Sequence, residues 1–315
     1  MRCHRGNHKI GEYASEMKQP KQLQGDAAAT GGHYDRFVEA ESARLEQFCP
    51  VEYAITLRYL NHFVPEHCDV AEIGVGVGHY SEFLARRGCR LNLVDVSERL
   101  LVATQTRLSA ATLAEYITSI HHASATDLPL ADDSMDAVLL LGPLYHLRDL
   151  EERKKVVKEA WRILKPGGIV VAAGINRITF LRDMFRSPDP YSAKFFGPEF
   201  AAAQSSSQVD PDRLGFRARF LATGNLDPEH APPIGVAHLT TIAEFRELLT
   251  SQFEEVVLTG TESFTSPWQD EWKSKSAADM AAWLEIIEAT GKTVEGMAYS
   301  DHLLFIGVRP SNARC

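Results

Sequence analysis

Short apolar runs alternate with amphipathic stretches along the middle of the chain, and that alternation predicts its elements. Asp69–Val75 is an apolar run entering glycines, the pattern of a short buried strand. After Gly78, Tyr80, Phe83 and Leu84 share one helical face until Gly88 supplies a stop. Arg90–Val96 reads as the next strand, and Ser97 caps a helix with Glu98 near its positive end. Tyr116–His122 is a third strand, and Met135–Leu141, which contains DAVLLLG, is a fourth. Asp149–Leu164 is a long amphipathic helix with Val156, Val157, Ala160, Trp161 and Leu164 on its apolar stripe. Pro166, Gly167 and Gly168 break it, and Ile169–Ala173 is a fifth strand. Strands alternating with helices in this way predict a doubly wound α/β sheet covered on both faces.

Outside this region the pattern changes. Residues 1–32 carry no apolar periodicity and read as a solvated tail. Residues 33–67 form an N-terminal helical cap, with Pro50 dividing two helices and Pro65 ending the second. Residues 68–175 are the core. Residues 176–240, with Phe180, Met184, Phe185, Tyr191, Phe195, Phe196 and Phe200, then FAAAQSSSQ, are too long for a structureless loop and predict a helical cap insertion. Residues 241–261 return to the core with a helix at Ile242–Leu249 and a strand at Val256–Gly260. Residues 262–300 form a second insertion with a helix at Ala277–Ala289, and 301–315 hold a final strand, His302–Val308, and a tail.

Composition narrows the class. The 315 residues hold 33 Lys plus Arg against 42 Asp plus Glu, a net charge of −9 with no basic run, which disfavours a nucleic-acid partner held through phosphates. No apolar stretch approaches the roughly 20 residues that cross a bilayer. The five cysteines, at 3, 49, 68, 89 and 315, have neither disulfide nor zinc spacing and read as reduced thiols of a cytoplasmic protein.

The most informative segment is Glu72-Ile-Gly74-Val-Gly76-Val-Gly78 at a strand-to-helix junction. Closely spaced glycines let the backbone turn tightly and let a ligand touch the main chain. Asp95, at the end of the next strand and 17 residues beyond Gly78, is placed to accept both hydroxyls of a ribose. The spacing of Gly76 and Gly78 departs from a dinucleotide fingerprint, and no G-x-x-x-x-G-K-[ST] loop occurs.

The ordered set EIGVGVG, LNLVDVS, SATDLP, DAVLLLGPLYHL, a helix ending in RILKPGG and two late strands resembles the motifs of class I S-adenosylmethionine-dependent methyltransferases. The resemblance spans roughly Tyr34 to Pro310, and GPLYHL is similar to a branch acting on small molecules. It implies a Rossmann-like seven-stranded sheet whose last strand is antiparallel, with S-adenosyl-L-methionine as cofactor and S-adenosyl-L-homocysteine as product. It further implies that Glu72 lies near the methionine end, that Gly74, Gly76 and Gly78 admit the cofactor against the backbone, and that Asp95 binds the ribose. Val96 would sit beside the adenine, with Leu141 in the same site. Ser124 stands where the family commonly has Asp, and Ala125 would offer a backbone N–H to the ring.

Methyl transfer from a sulfonium is an in-line displacement, and a base is needed where the acceptor is a hydroxyl or a protonated amine. Tyr145 and His146, after the fourth strand, are the first candidates for that role; they could equally wall the cofactor pocket. His238, before the resumed helix, is another, and His79 is expected to cover the methionine portion. His121 and His122 point to opposite faces of a strand and do not share a metal. The arginines at 182, 186, 213, 217 and 219 are either a local anion site or a solvated surface. The expected function is methyl transfer to an oxygen or nitrogen of a small molecule. The departure at Ser124 leaves room for a methyltransferase-like fold that senses cofactor or binds a partner without transfer.

Overall fold

Five parallel strands form the centre of the protein in a computed structural model that describes residues 22–186, 213–228 and 234–311. They are β1 (Asp69–Ile73), β2 (Arg90–Asp95), β3 (Ile117–His122), β4 (Met135–Leu140) and β5 (Leu164–Ile175). With β6 (Glu254–Gly260) and β7 (His302–Val308) they complete a seven-stranded sheet in the order β3-β2-β1-β4-β5-β7-β6, and β7 runs antiparallel to both neighbours. The order reverses at β1, which pairs with β2 on one side and β4 on the other. That switch point opens a crevice beyond the carboxyl ends of the strands, where open α/β sheets bind ligands.

β5 begins earlier than the Pro-Gly-Gly signal suggests. Leu164 already pairs with Met135; the register slips there, and Ile169 resumes opposite Ala137. The break therefore bulges the strand without ending it.

Both sheet faces are covered. On one face α3 (Pro50–Phe63), α4 (His79–Arg86), α5 (Glu98–Ala110) and α10 (Ala277–Gly291) contribute Ile55, Leu60, Leu84, Leu108 and Ile287 to a core that includes Leu91, Leu93 and Leu139. On the other, α6 (Leu150–Ile163) and α9 (Ile242–Thr250) pack Val156, Ala160, Phe245 and Leu249 against Val138, Leu140 and Val170. Capping follows the sequence signals. The Ser97 hydroxyl accepts from the Leu100 N–H, the Asp149 carboxylate accepts from two N–H groups of α6, and Thr241 and Glu244 form a reciprocal capping box.

The first insertion has its own small core. α7 (Arg177–Arg186), α8 (Arg213–Thr223) and a two-stranded ladder, Asn225–Leu226 with Ala237–His238, bury Phe180, Met184, Phe220, Leu226 and Leu239 together, whereas Phe185 is exposed. Tyr191, Phe195, Phe196, Phe200 and FAAAQSSSQ lie outside the described residues. In the second insertion Trp272 is buried and Trp268 is exposed. Cys68 and Cys89 are reduced, with sulfurs 3.8 Å apart. No helix among the described residues is long and apolar enough to cross a membrane.

The end of the expected tail is corrected by the structure: α1 (Gly25–Tyr34) is a helix packed on the core. Its GDAAATGGHY sequence has no apolar stripe to reveal it. Small residues let it lie close instead, and its anchors come from far along the chain. Arg148 forks onto the Asp26 carboxylate, the Asp35 carboxylate accepts from the Ser97 hydroxyl at 2.6 Å, and the Arg99 guanidinium donates to the Asp35 carbonyl. α2 (Val38–Ala43) and a π-helical turn at Arg44–Phe48 then lead into α3.

Candidate functional site

Gly74, Gly76 and Gly78 all take positive φ, +80°, +56° and +82°, so the alternate glycines are a backbone requirement of this turn. Gly74 N–H donates to the Val94 carbonyl at 2.8 Å and the Thr104 hydroxyl donates to the Gly76 carbonyl at 3.0 Å, fixing the loop against β2 and α5. One cavity opens over it. Its walls are Ile73–Val77, Val94–Val96, Ala123–Ala125, Leu141–Pro143 and Tyr145–Leu147, so it follows the ends of β1, β2, β3 and β4. A Cβ on Gly74 would stand 3.2 Å from Pro143 Cδ, which keeps the floor of the cavity open only to glycine.

Asp95 is the buried carboxylate of this cavity. Burial raises its pKa to about 6, opposed by N–H groups of Ser97, Gly76 and Val75 directed at it. A carboxylate held ready beside a glycine turn can accept two hydroxyl donors at once.

The remaining wall comes from the N-terminal helices, where apolar spacing marks Tyr34 and Leu45 but not the polar and charged residues beside them. Ala27, Thr30 and Tyr34 of α1 close the cavity from above, and Glu41, Arg44 and Leu45 close one side. The Arg44 guanidinium donates from Nε to both Glu41 oxygens, at 3.0 and 3.1 Å, and from Nη1 to Glu52 at 3.2 Å. Glu41 Oε1 lies 3.5 Å from where a Cβ of Gly76 would be, so this ion pair faces the glycine loop. The Thr30 hydroxyl is buried and makes no hydrogen bond to a described residue. Polar and charged residues inside a helical cap carry no motif, which is why sequence reading passed over them.

The expected cofactor residues separate into two groups. Gly74, Gly76, Asp95, Val96, Ser124, Ala125 and Leu141 line the cavity; Glu72 and Gly78 do not. Glu72 is fully buried behind the loop, where the Ser81 hydroxyl donates to it at 2.5 Å and burial raises its pKa to about 8. Gly78 caps α4, and a Cβ there would meet Thr104 Cγ2 at 2.8 Å, so its place is packing against α5. The Ser124 hydroxyl lines the cavity but is engaged with Thr126, 2.9 Å from its hydroxyl and 3.2 Å from its N–H.

The proton-transfer candidates are also redistributed. His146 is buried in the cavity wall, and both ring nitrogens are used: Nδ1 lies 3.0 Å from the Val236 carbonyl and Nε2 3.0 Å from the Tyr34 hydroxyl. Nδ1 therefore carries the proton, Nε2 accepts from Tyr34, and burial lowers the imidazole to about 4. Such a ring holds α1 in place and is a poor base. The Tyr145 hydroxyl donates to the Leu141 carbonyl at 2.9 Å, and burial raises its pKa further. His238 lies elsewhere, in a second cavity between α6 and α9, with Nδ1 at 2.8 Å from Asn225 Oδ1. Burial, then Arg153 and Arg177, lower it to about 3.

Other expectations are placed as follows. His79 lines the cofactor cavity. His121 and His122 bond to different partners, Ser119 and the Val96 carbonyl. Arg182 is neutralised by Asp183 and Asp301. The side chains of Arg186 and Arg213 lie outside the described residues.

Burial of Glu72 has a pH signature. Its folded pKa, about 8, exceeds its ordinary value of 4.5, so the folded state holds the extra proton between those limits and stability falls as pH rises through that window. Glu72→Gln keeps the acceptor for Ser81 and has no charge to bury. Thermal melts should therefore show Glu72→Gln gaining on the parent between pH 5 and pH 9, by a few degrees at the upper end; a constant difference across that range would contradict the assignment.

Residues 71–172 match the family model described as a methyltransferase domain. Over 102 residues the chain is 37% identical to the demethylmenaquinone methyltransferase of Clavibacter sepedonicus, a match covering 32% of this chain and 39% of that protein. The chain thus spans about two fifths of that relative's length. A match at 24% identity runs over 247 residues, 77% of this chain and 82% of a probable S-adenosylmethionine-dependent methyltransferase of Mycolicibacterium smegmatis. The solved N-methyltransferase NodS of Bradyrhizobium japonicum, in complex with S-adenosyl-L-homocysteine, has a TM-score of 0.51 at 16% identity, covering 90% of this chain and 99% of that one. That likeness is one of fold. Domain and fold together imply S-adenosyl-L-methionine, and the cavity offers groups that fit it: a buried carboxylate beside the glycine turn, a floor of glycine, a buried Thr30 hydroxyl without a partner among the described residues, and an ion pair facing the loop.

Proposed function

We propose that the protein transfers a methyl group from S-adenosyl-L-methionine to an oxygen or nitrogen of a small molecule. The observation that carries this reading is the cavity in which Asp95 and the positive-φ turn Gly74–Gly78 meet beneath α1. When bound, the cofactor supplies an electrophilic methyl group on a sulfonium. The chain's own residues bind, orient and dry the reacting centre. Asp95 accepts the ribose hydroxyls, Val96, Ser124 and Ala125 border the adenine, and the main chain at Gly74 and Gly76 receives the rest. Arg44 and Glu41 offer a cation and an anion to the amino-acid end. α1 excludes water, and the Tyr34–His146 hydrogen bond holds it closed.

Positioning supplies much of the rate in such a displacement, so a closed, preorganised cavity is the main catalytic device. A small acceptor suits this enclosure, and the net charge of −9 opposes a polyanion. The relative named for demethylmenaquinone supports the same substrate class. Calorimetric titration with S-adenosyl-L-homocysteine tests the reading: one molecule should bind per chain, and an absence of binding by the intact protein would overturn it.

A further inference from the structure

Because β7 is antiparallel, its first residue, His302, lies at the same edge of the sheet as Gly74, Asp95 and Leu141, paired with Ile175 at the end of β5. This is the carboxyl edge of the parallel strands, the edge at which the cavity over the glycine turn opens. His302 Nδ1 lies 2.5 Å from Glu262 Oε1. Glu262 is fully buried, and its Oε2 accepts from the Thr261 hydroxyl at 3.0 Å, the Ser300 hydroxyl at 2.7 Å and the His302 N–H at 3.0 Å. It cannot turn away, so it fixes both the tautomer and the plane of the ring. His302 Nε2 makes no hydrogen bond to a described residue, and the side chain is 16% exposed. Glu52 stands 3.6 Å from Nδ1 and binds Arg44 of the cavity wall at 3.2 Å, tying the pair to the cofactor site.

Resting on the methyl-transfer reading above, we propose that His302, oriented by Glu262, is the general base of the reaction and that the acceptor is a hydroxyl that gives up its proton to it. As the acceptor oxygen bonds to the methyl carbon, the carbon–sulfur bond breaks and its electron pair remains on sulfur as a neutral thioether. The hydroxyl proton passes to His302 Nε2, Glu262 balances the imidazolium, and the proton leaves to solvent after the product departs. Glu262 is a positioning residue. The charged groups facing the ring are Glu262 from the loop after β6, Glu52 from α3 and Asp301 before β7, with Arg44 behind Glu52, and Arg182 and Asp183 behind Asp301. Burial alone would lower the imidazole, but these carboxylates outweigh it and hold the ring at about 9. The ring accepts a proton in its neutral form, whose share grows as pH rises towards 9.

Turnover of 4-methylphenol, protonated at pH 8, is compared with that of 4-nitrophenol, largely ionised there, by following S-adenosyl-L-homocysteine formation. The intact protein should methylate both. His302→Gln should lose roughly 10²–10⁴-fold with 4-methylphenol and less than tenfold with 4-nitrophenol, which brings its own oxyanion. Log kcat/KM should rise with pH to about 9 in the intact protein, and Glu262→Gln should move that limb towards the ordinary imidazole range, a shift that a purely structural role would not produce. Equal losses with both phenols, an unmoved limb, or methylation of amines with neither phenol accepted would overturn the proposal. Calorimetry with S-adenosyl-L-homocysteine separates the two readings: binding without phenol turnover fails this proposal alone, whereas no binding by the intact protein fails the function beneath it.

Discussion

Asp95→Ala should weaken binding of S-adenosyl-L-homocysteine about 100-fold or more, measured by calorimetry at pH 7.5. Two hydrogen bonds to a charged acceptor are lost, each contributing about 1.5–3 kcal/mol, and about 1.4 kcal/mol is a tenfold change. Asp95→Asn keeps the shape and one acceptor, so its loss should be smaller but still large. The pH dependence follows from the same group. Its pKa in the free protein is about 6, and only the carboxylate accepts both ribose hydroxyls, so affinity should fall as pH drops below 6. Binding near pH 6 should release protons, visible as a buffer-dependent binding enthalpy. An Asp95→Ala protein that bound within threefold of the parent would remove Asp95 from the site.

A second large effect is expected from a single methyl group on α1. A Cβ at Gly31 would stand 2.3 Å from the Val96 carbonyl oxygen, whereas no described residue lies within 4 Å of a Cβ at Gly32. Gly31→Ala must therefore push α1 off β2, opening the wall formed by Ala27, Thr30 and Tyr34. Gly32→Ala gains helix propensity of about 1 kcal/mol and disturbs nothing. Cofactor-product affinity should drop at least tenfold in Gly31→Ala and stay within twofold in Gly32→Ala, with both proteins melting within a few degrees of the parent because α1 lies outside the sheet's two cores. Equal affinities for the two variants would show that α1 does not close the cavity.

The sheet was legible because most of its strands are short, largely apolar runs near a glycine or a capping residue, and local pattern suffices to mark such runs; ITSIHH of β3 is the weakest of them. His302–Val308 was found to the residue, and Val256–Gly260 was short by two at its start. The place of Asp95 at the cavity was legible for the same reason: it ends a strand 17 residues beyond the glycine turn. Helix α1 was not, since its stability rests on partners 62 to 122 residues away. Asp26 pairs with Arg148 and Tyr34 with His146, and neither pairing leaves a periodic trace. Glu41 and Arg44 were hidden likewise, as charged residues in a cap read as solvated.

His146 shows a different limit. Its place after β4 was readable from GPLYHL, but its protonation state depends on the Val236 carbonyl and the Tyr34 hydroxyl, which only the folded chain brings to it. His302 carried one usable signal. An antiparallel final strand puts its first residue at the active edge of the sheet, which would have drawn attention to the histidine in YSDHLLF. Glu262, 40 residues earlier, had no signal of its own.

The central claim is methyl transfer to a small acceptor, and the most direct test is incubation with methyl-labelled S-adenosyl-L-methionine and a deproteinised, nucleic-acid-free metabolite extract. The account predicts label in a compound of the small-molecule fraction, matched mole for mole by S-adenosyl-L-homocysteine and lost in Asp95→Ala. Tight cofactor binding with no labelled compound, or label appearing only when protein or nucleic acid is restored to the extract, would contradict it.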